Sequence, residues 1–100
     1  TMSETATLVV TAVSNVEEMA SVQEYLQGVM PLFTDAGGEL VKRLKVDEVI
    51  HGTPAGMVLV MDFESADAVT ALFNSDDYSA LAPVRDRGFK EMNILITHTM

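Results

Sequence analysis

Apolar and polar positions follow two different periods along this chain, and the switches between them mark out its elements. Residues 6–14 form a short unbroken run rich in Val and Thr, the composition of a strand. Asn15 can cap the next element, with Glu17 and Glu18 in the first turn, where carboxylates suit the helix dipole. Met19, Val22, Leu26, Val29 and Phe33 then recur at spacings of three and four, the stripe of an amphipathic helix. Pro31 interrupts that stripe and predicts a kink or a restart near Met30, and Gly37-Gly38 ends it. Leu40, Lys42, Leu44 and Val46 alternate with Val41, Arg43 and Lys45 as a second strand of mixed faces. Gly52 and Pro54 mark a turn within residues 49–55. Residues 57–64 read as a third strand, apolar on both faces until Asp62. Ser65 caps a second helix carrying Ala66, Val69, Leu72 and Phe73, which ends near Asn74-Ser75. A shorter helical piece spans residues 76–87, perturbed by Pro83 and stopped by Gly88. Met92, Ile94 and Ile96 alternate through a last strand.

Strand, helix, strand, strand, helix, strand is the order of an α+β, ferredoxin-like βαββαβ fold. It predicts a four-stranded antiparallel sheet with both helices on one face and the first and third strands central. The third strand offers Met57, Leu59, Met61 and Phe63 to one face and Val58 and Val60 to the other; the first offers Leu8 and Val10 against Val9 and Val13. Four strands about 4.8 Å apart and roughly 17 Å long present a face on the order of 300 Å². A largely apolar face of that size left bare on a monomer is exceptional. Each large apolar side chain buried there contributes roughly 1.5–3 kcal/mol. The expectation is a homodimer joined through its sheet faces into a barrel-like core, an arrangement that also suits a small chain with limited surface to bury.

Composition narrows the function classes more than it identifies one. One hundred residues, 48% apolar and 21% charged, suit a single domain over residues 1–100 with a core of its own. No run of 18 apolar residues exists, which argues against a membrane-spanning helix. The absence of cysteine excludes disulfides, thiol catalysis and cysteine-ligated metals. Fifteen acids against six bases give a net charge of −9, a poor balance for a phosphate backbone or an anionic lipid surface. Residues 1–39 hold six acids and no base, and Lys42, Arg43 and Lys45 form the tight basic cluster. The element order is shared with RNA-recognition motifs, but the first strand has neither the exposed aromatics nor the bases that RNA needs. Thr1 ahead of Met2 reads as an addition to the natural start, and no signal sequence comes after it, so the expected location is cytoplasmic.

The stretch from Phe63 to Arg85 carries a more specific likeness. A strand-ending Phe63, an Ala-rich helix, Phe73-Asn74-Ser75-Asp76-Asp77-Tyr78 and then Arg85 resemble the bacterial family called domain of unknown function 1330 (DUF1330), within the dimeric α+β barrel superfamily. Gly37-Gly38 matches that family's glycine pair, and Gly52 with Pro54 matches its turn before the third strand. The likeness spans roughly residues 6–98. It departs at His51-Gly52, where the family commonly has Glu-Gly, and at Glu39, where a basic residue is common. The resemblance implies the fold and the dimer and supplies no established reaction. Superfamily relatives include cofactor-free monooxygenases, haem enzymes and small-ring isomerases or decarboxylases, so fold analogy leaves chemistry open.

Candidate site residues each have a structural alternative. Arg85 suits bidentate grip of a carboxylate, enolate or phenolate, or an ion pair with Asp86 or Asp62. Tyr78, seven residues earlier, shares a helical face with Arg85 if the helix is continuous, and otherwise serves as a core ring. Asn74 and Ser75 suit ligand orientation or, equally, the end of one helix and the cap of the next. His51 is the natural proton carrier but sits in a turn, where solvated histidines are common. Asp62 breaks the apolar run of the third strand, as a desolvated base or as the point where the strand leaves the core. The two histidines, 47 positions apart, make no metal-ligand set, and no cofactor loop is present, so neither metal nor cofactor is expected. Two functions fit. In one, a small organic acid or ring binds between sheet and helices, gripped by Arg85 and oriented by Tyr78 and Asn74, with His51 moving a proton in a cofactor-free step. In the other, the protein is a non-catalytic ligand-binding or assembly module.

Overall fold

The computed structural model describes residues 5–53 and 55–100. Thr1 and Met2, and the Pro54 part of the predicted turn, lie outside the described residues. Four strands, β1 (Ala6–Ser14), β2 (Glu39–Lys45), β3 (Met57–Phe63) and β4 (Phe89–Thr97), form one antiparallel sheet in the order β2-β3-β1-β4. The expected α+β, ferredoxin-like arrangement is the one observed, with β1 and β3 central. Leu8 stands opposite Met61 on β3 and Ile96 on β4; Val10 stands opposite Leu59 and Ile94. On β1 and β3 these rows, with Ala6, Ala12 and Phe63, are buried under the helices. The intervening row of Val9, Val60 and Leu95 lies on the opposite face.

A short 3₁₀ turn (Val16–Glu18) leads into α1 (Met19–Asp35), and Asn15 caps it, its Oδ1 accepting the Glu17 N–H at 3.1 Å. The buried stripe of α1 runs through Val22, Tyr25, Val29 and Phe33, with Leu26 half-buried and Met19 exposed. No restart occurs at Pro31, which lies inside one helical span. Proline removes the bond to the carbonyl four residues earlier, but Pro31 and Gln27 are both exposed, so water can serve the freed oxygen while the buried stripe holds the helix in place.

Ser65 caps α2 (Ala66–Phe73), its Oγ accepting the Ala68 N–H at 3.2 Å. The predicted single stretch over residues 76–87 is instead two helices, α3 (Asp76–Ser79) and α4 (Ala82–Gly88). Pro83 begins α4 rather than perturbing a longer helix, because a first-turn residue has no intrahelical partner for the missing N–H.

The second strand also departs from simple alternation. A bulge between Leu40 and Lys42 puts Leu40 opposite Met61 and Lys42 opposite Val60, so the two no longer share a face. β2 is exposed throughout, and its bulge and three basic side chains guard that edge against strand addition.

The shortest principal extent of the Cα atoms is only 16 Å, about one sheet and one helix layer. The face carrying Val9, Val58, Val60, Leu44 and Leu95 is therefore uncovered within the chain, with Leu44 46% and Leu95 48% exposed.

Helices α1 and α4 meet closely at Gly88. A Cβ there stands 2.9 Å from the Val22 backbone nitrogen and 3.1 Å from the Ser21 carbonyl carbon. Two bonds pin the same junction: Asn15 N–H donates to the Gly88 carbonyl at 2.8 Å, and Arg87 Nε to the buried Ser21 Oγ at 2.8 Å. Gly88→Ala pushes backbone against backbone, which no rotamer change relieves. It is expected to cost about 1–3 kcal/mol of stability, read as a lowered urea midpoint at unchanged slope.

Candidate functional site

Where α2 ends, Ser75 joins two helices. Its Oγ donates to the Leu72 carbonyl at 2.7 Å and accepts the Tyr78 N–H at 3.2 Å, ending α2 and capping α3 with one hydroxyl. These two hydrogen bonds set Tyr78 into the core. The Tyr78 ring meets Phe73 edge-on at a centroid distance of 4.7 Å and Tyr25 of α1 at 6.3 Å. The Tyr25 and Tyr78 hydroxyls lie 2.8 Å apart.

Arg85 approaches from α4. Its Nη1 donates to the Tyr78 hydroxyl oxygen at 3.1 Å, and its Nε to Asp86 Oδ1 at 3.1 Å. The helix break predicted to separate Tyr78 from Arg85 thus exists, yet the side chains meet, because α4 folds back against α1. The bond to Tyr78 is the main reason the Arg85 guanidinium holds its proton even more firmly than usual. Tyr25 is pushed above the ordinary phenol range, first by burial and second by its bond to Tyr78.

These groups border a cleft of about 340 Å³ lined by Thr70, Phe73, Asn74, Tyr78, Arg85, Ile94 and Ile96. Phe73, Ile94 and Ile96 are its apolar lining, Arg85 and Tyr78 meet each other on it, and the Asn74 side chain makes no hydrogen bond among the described residues. A second depression of about 470 Å³ also includes Arg85 in its lining, with Asp86, Lys90, Glu91 and Met92. Arg85 therefore borders both openings. Its side chain is 28% exposed, against 71% for Asp86, so the ion pair is solvent-screened and leaves Arg85 free to change partners.

The structure brings Tyr78, Arg85 and Asn74 together and places Ser75 directly behind them as the helix junction. His51 is exposed in the connection between β2 and β3 and is not among the residues lining this cleft. Asp62 lies on the bare sheet face, where its Oδ1 accepts the Thr7 hydroxyl at 2.7 Å, beside Glu39 and Glu64 in a depression carrying only negative charge. Tyr25 is the member of the site that the sequence does not single out, although its position three residues after Val22 and four before Val29 fits the buried stripe. No cluster of three or more His, Asp or Glu among the described residues is arranged to hold a metal ion, and no described helix is long and apolar enough to cross a membrane.

Sheet order, one-sided helix cover and a cleft at the sheet edge define a small ferredoxin-like protein. The chain belongs to the domain of unknown function family DUF1330, whose family model matches residues 6–100. No curated protein matches it. Among solved structures it is similar to a protein of unknown function from Rhodopseudomonas palustris, at 11% identity and a TM-score of 0.82, over 97% of this chain and 83% of that one. A dimeric ferredoxin-like protein of unknown function from Bacteroides fragilis matches at 10% identity and 0.64, over 99% of this chain and 100% of that one. A hydroxynitrile lyase from Passiflora edulis matches at 12% identity and 0.74, over 97% of this chain and 94% of that one. At such identities the likeness is one of fold.

The raised Tyr25 has a consequence for alkaline stability. In the unfolded chain its phenol ionises near about pH 10; in the native chain it keeps its proton to higher pH. Above about pH 10 the unfolded state thus binds fewer protons than the native state, so stability falls as pH rises, whereas below it the contribution is fully present. Urea unfolding from about pH 8 to pH 11 is expected to show a steeper alkaline loss for the wild type than for Tyr25→Phe.

Proposed function

We propose that this protein binds a small organic acid with an apolar or ring-shaped body in the cleft between α2, α3, α4 and β4. Arg85 holds the anionic group, Tyr78 and Asn74 orient it, and Phe73, Ile94 and Ile96 receive the body. The observation that carries the reading is the Arg85–Tyr78 contact in the lining of a cleft that also holds Phe73, Ile94 and Ile96. A cation tied to a buried phenol and to one exposed carboxylate keeps most of its donors for a further anion. In a chain of net charge −9 the far field repels anions, so such selection must be local.

A binding role without turnover is favoured by the placement of His51 and Asp62, the two groups suited to moving a proton, away from this cleft. The same reading pairs two copies through the bare sheet face. Support comes from the apolar row of Val9, Val58, Val60 and Leu95 and from the dimeric Bacteroides fragilis structure of like fold. Sedimentation tests that half of the proposal.

Thermal unfolding against a panel of small aromatic and aliphatic carboxylates tests the cleft. A ligand at ten times its Kd adds about 1.4 kcal/mol, roughly 5–10 °C in a domain of this size. Wild type is expected to show that rise with at least one aromatic acid and Arg85→Ala to show none while keeping its fold. An equal rise in Arg85→Ala, or none in the wild type, refutes the reading.

A further inference from the structure

Tyr25 has a part in this cleft that its burial alone does not explain, and counting hydrogens reveals it. The bond between the two phenols uses one hydroxyl hydrogen and leaves the other to find an acceptor. Tyr25 is 4% exposed, its ring lies edge-on to Tyr78 and Phe89, and among the described residues its oxygen has Tyr78 alone as a polar partner. If Tyr78 donated to Tyr25, the Tyr25 hydrogen would be stranded in apolar surroundings, the arrangement proteins avoid most consistently. If Tyr25 donates to Tyr78, the hydrogen left over is that of Tyr78, which is as buried as Tyr25 but, unlike it, lines the cleft.

The Tyr78 oxygen then receives two donors, Tyr25 and Arg85 Nη1, which strengthens its own hydrogen as a donor. Arg85 spends one N–H on Asp86 and one on Tyr78, leaving three of its five. Unspent donors from both residues therefore gather at one end of the cleft. A carboxylate, whose oxygens only accept, is the group that satisfies them together, and Phe73, Ile94 and Ile96 supply an apolar seat for the rest of the molecule.

We propose that Tyr25 is a positioning residue: by donating to Tyr78 it turns the Tyr78 hydroxyl hydrogen into the cleft, where with Arg85 it binds the carboxylate of a small apolar acid. The inference rests on the proposed acid-binding role of the cleft and adds the direction of each hydrogen. The rise of the Tyr25 phenol above its ordinary range accords with a hydroxyl that keeps its hydrogen in the inner bond.

Two tyrosines in the whole sequence make the test direct. In ring-labelled wild-type protein, NMR is expected to show a slowly exchanging hydroxyl proton on Tyr25 and none on Tyr78 until benzoate is added, when the Tyr78 proton emerges downfield. A slowly exchanging Tyr78 proton in the free protein, with none on Tyr25, overturns the assignment. Benzoate affinity gives the second arm. Tyr78→Phe is expected to bind about tenfold more weakly, the worth of one hydrogen bond, and Tyr25→Phe about threefold to fivefold more weakly. Unchanged benzoate binding by a folded Tyr25→Phe overturns the positioning role, and tighter binding overturns it too, because Tyr25 would then have been holding the Tyr78 hydrogen away from the ligand. Absence of benzoate binding in the wild type overturns the carboxylate assignment and the acid-binding role beneath it, while the hydroxyl protons of the free protein still decide the direction of the inner bond.

Discussion

A four-stranded sheet has two faces, and the helices of this chain cover one. Nearly everything else in the molecule derives from that asymmetry. The covered face takes Leu8, Val10, Leu59, Met61 and Phe63 out of water and builds the core with Val22, Val29, Phe33 and Val69. The uncovered face keeps a row of Val and Leu that no element of the chain reaches. The helix layer also stops short of the sheet's edges. At the β2 edge there is only an exposed, bulged, basic strand; at the β4 edge the margin of the layer becomes a cleft.

Polar groups at that margin are held by helix ends rather than by a loop. Ser75 fixes where Tyr78 enters the core, and Gly88 lets α4 lie directly on α1, bringing Arg85 up to the Tyr78 hydroxyl. The polar contacts at the back of the cleft depend on glycine at one close approach and on a hydroxyl at one helix junction. The proposed acid-binding role rests on this guanidinium, tied to a buried phenol and bordering a cleft that Phe73, Ile94 and Ile96 also line.

Much of the fold was legible from periodicity. The order of the elements placed β1 and β3 centrally, the apolar residues on both their faces agreed with it, and Ser65 and Asn15 announced their helices as caps do. Three features were not legible. Whether a helix restarts at Pro31 is a matter of tertiary packing, the bulge in β2 depends on pairing with β3, and the stretch over residues 76–87 is two helices because Pro83 starts the second. The candidate site was half legible. Tyr78 and Arg85 stood out by type and spacing, although the contact between them runs across a helix break. Tyr25 was hidden because a phenol in an apolar stripe reads as a core ring, and only the three-dimensional partner reveals its hydroxyl as part of a network. His51 and Asp62 drew notice by chemistry alone, which says nothing of where a side chain lies.

The proposed pairing through the uncovered face has a direct physical consequence, the mass of the particle in solution. Sedimentation equilibrium on the wild type and on Val60→Asp measures it. The 10.8 kDa chain is predicted to sediment as a pair of copies at micromolar concentration, and a carboxylate in the middle of the bare face to return it to single, folded chains. A wild-type protein that remains a single chain at high concentration, with Val9 and Val60 open to water, contradicts that prediction.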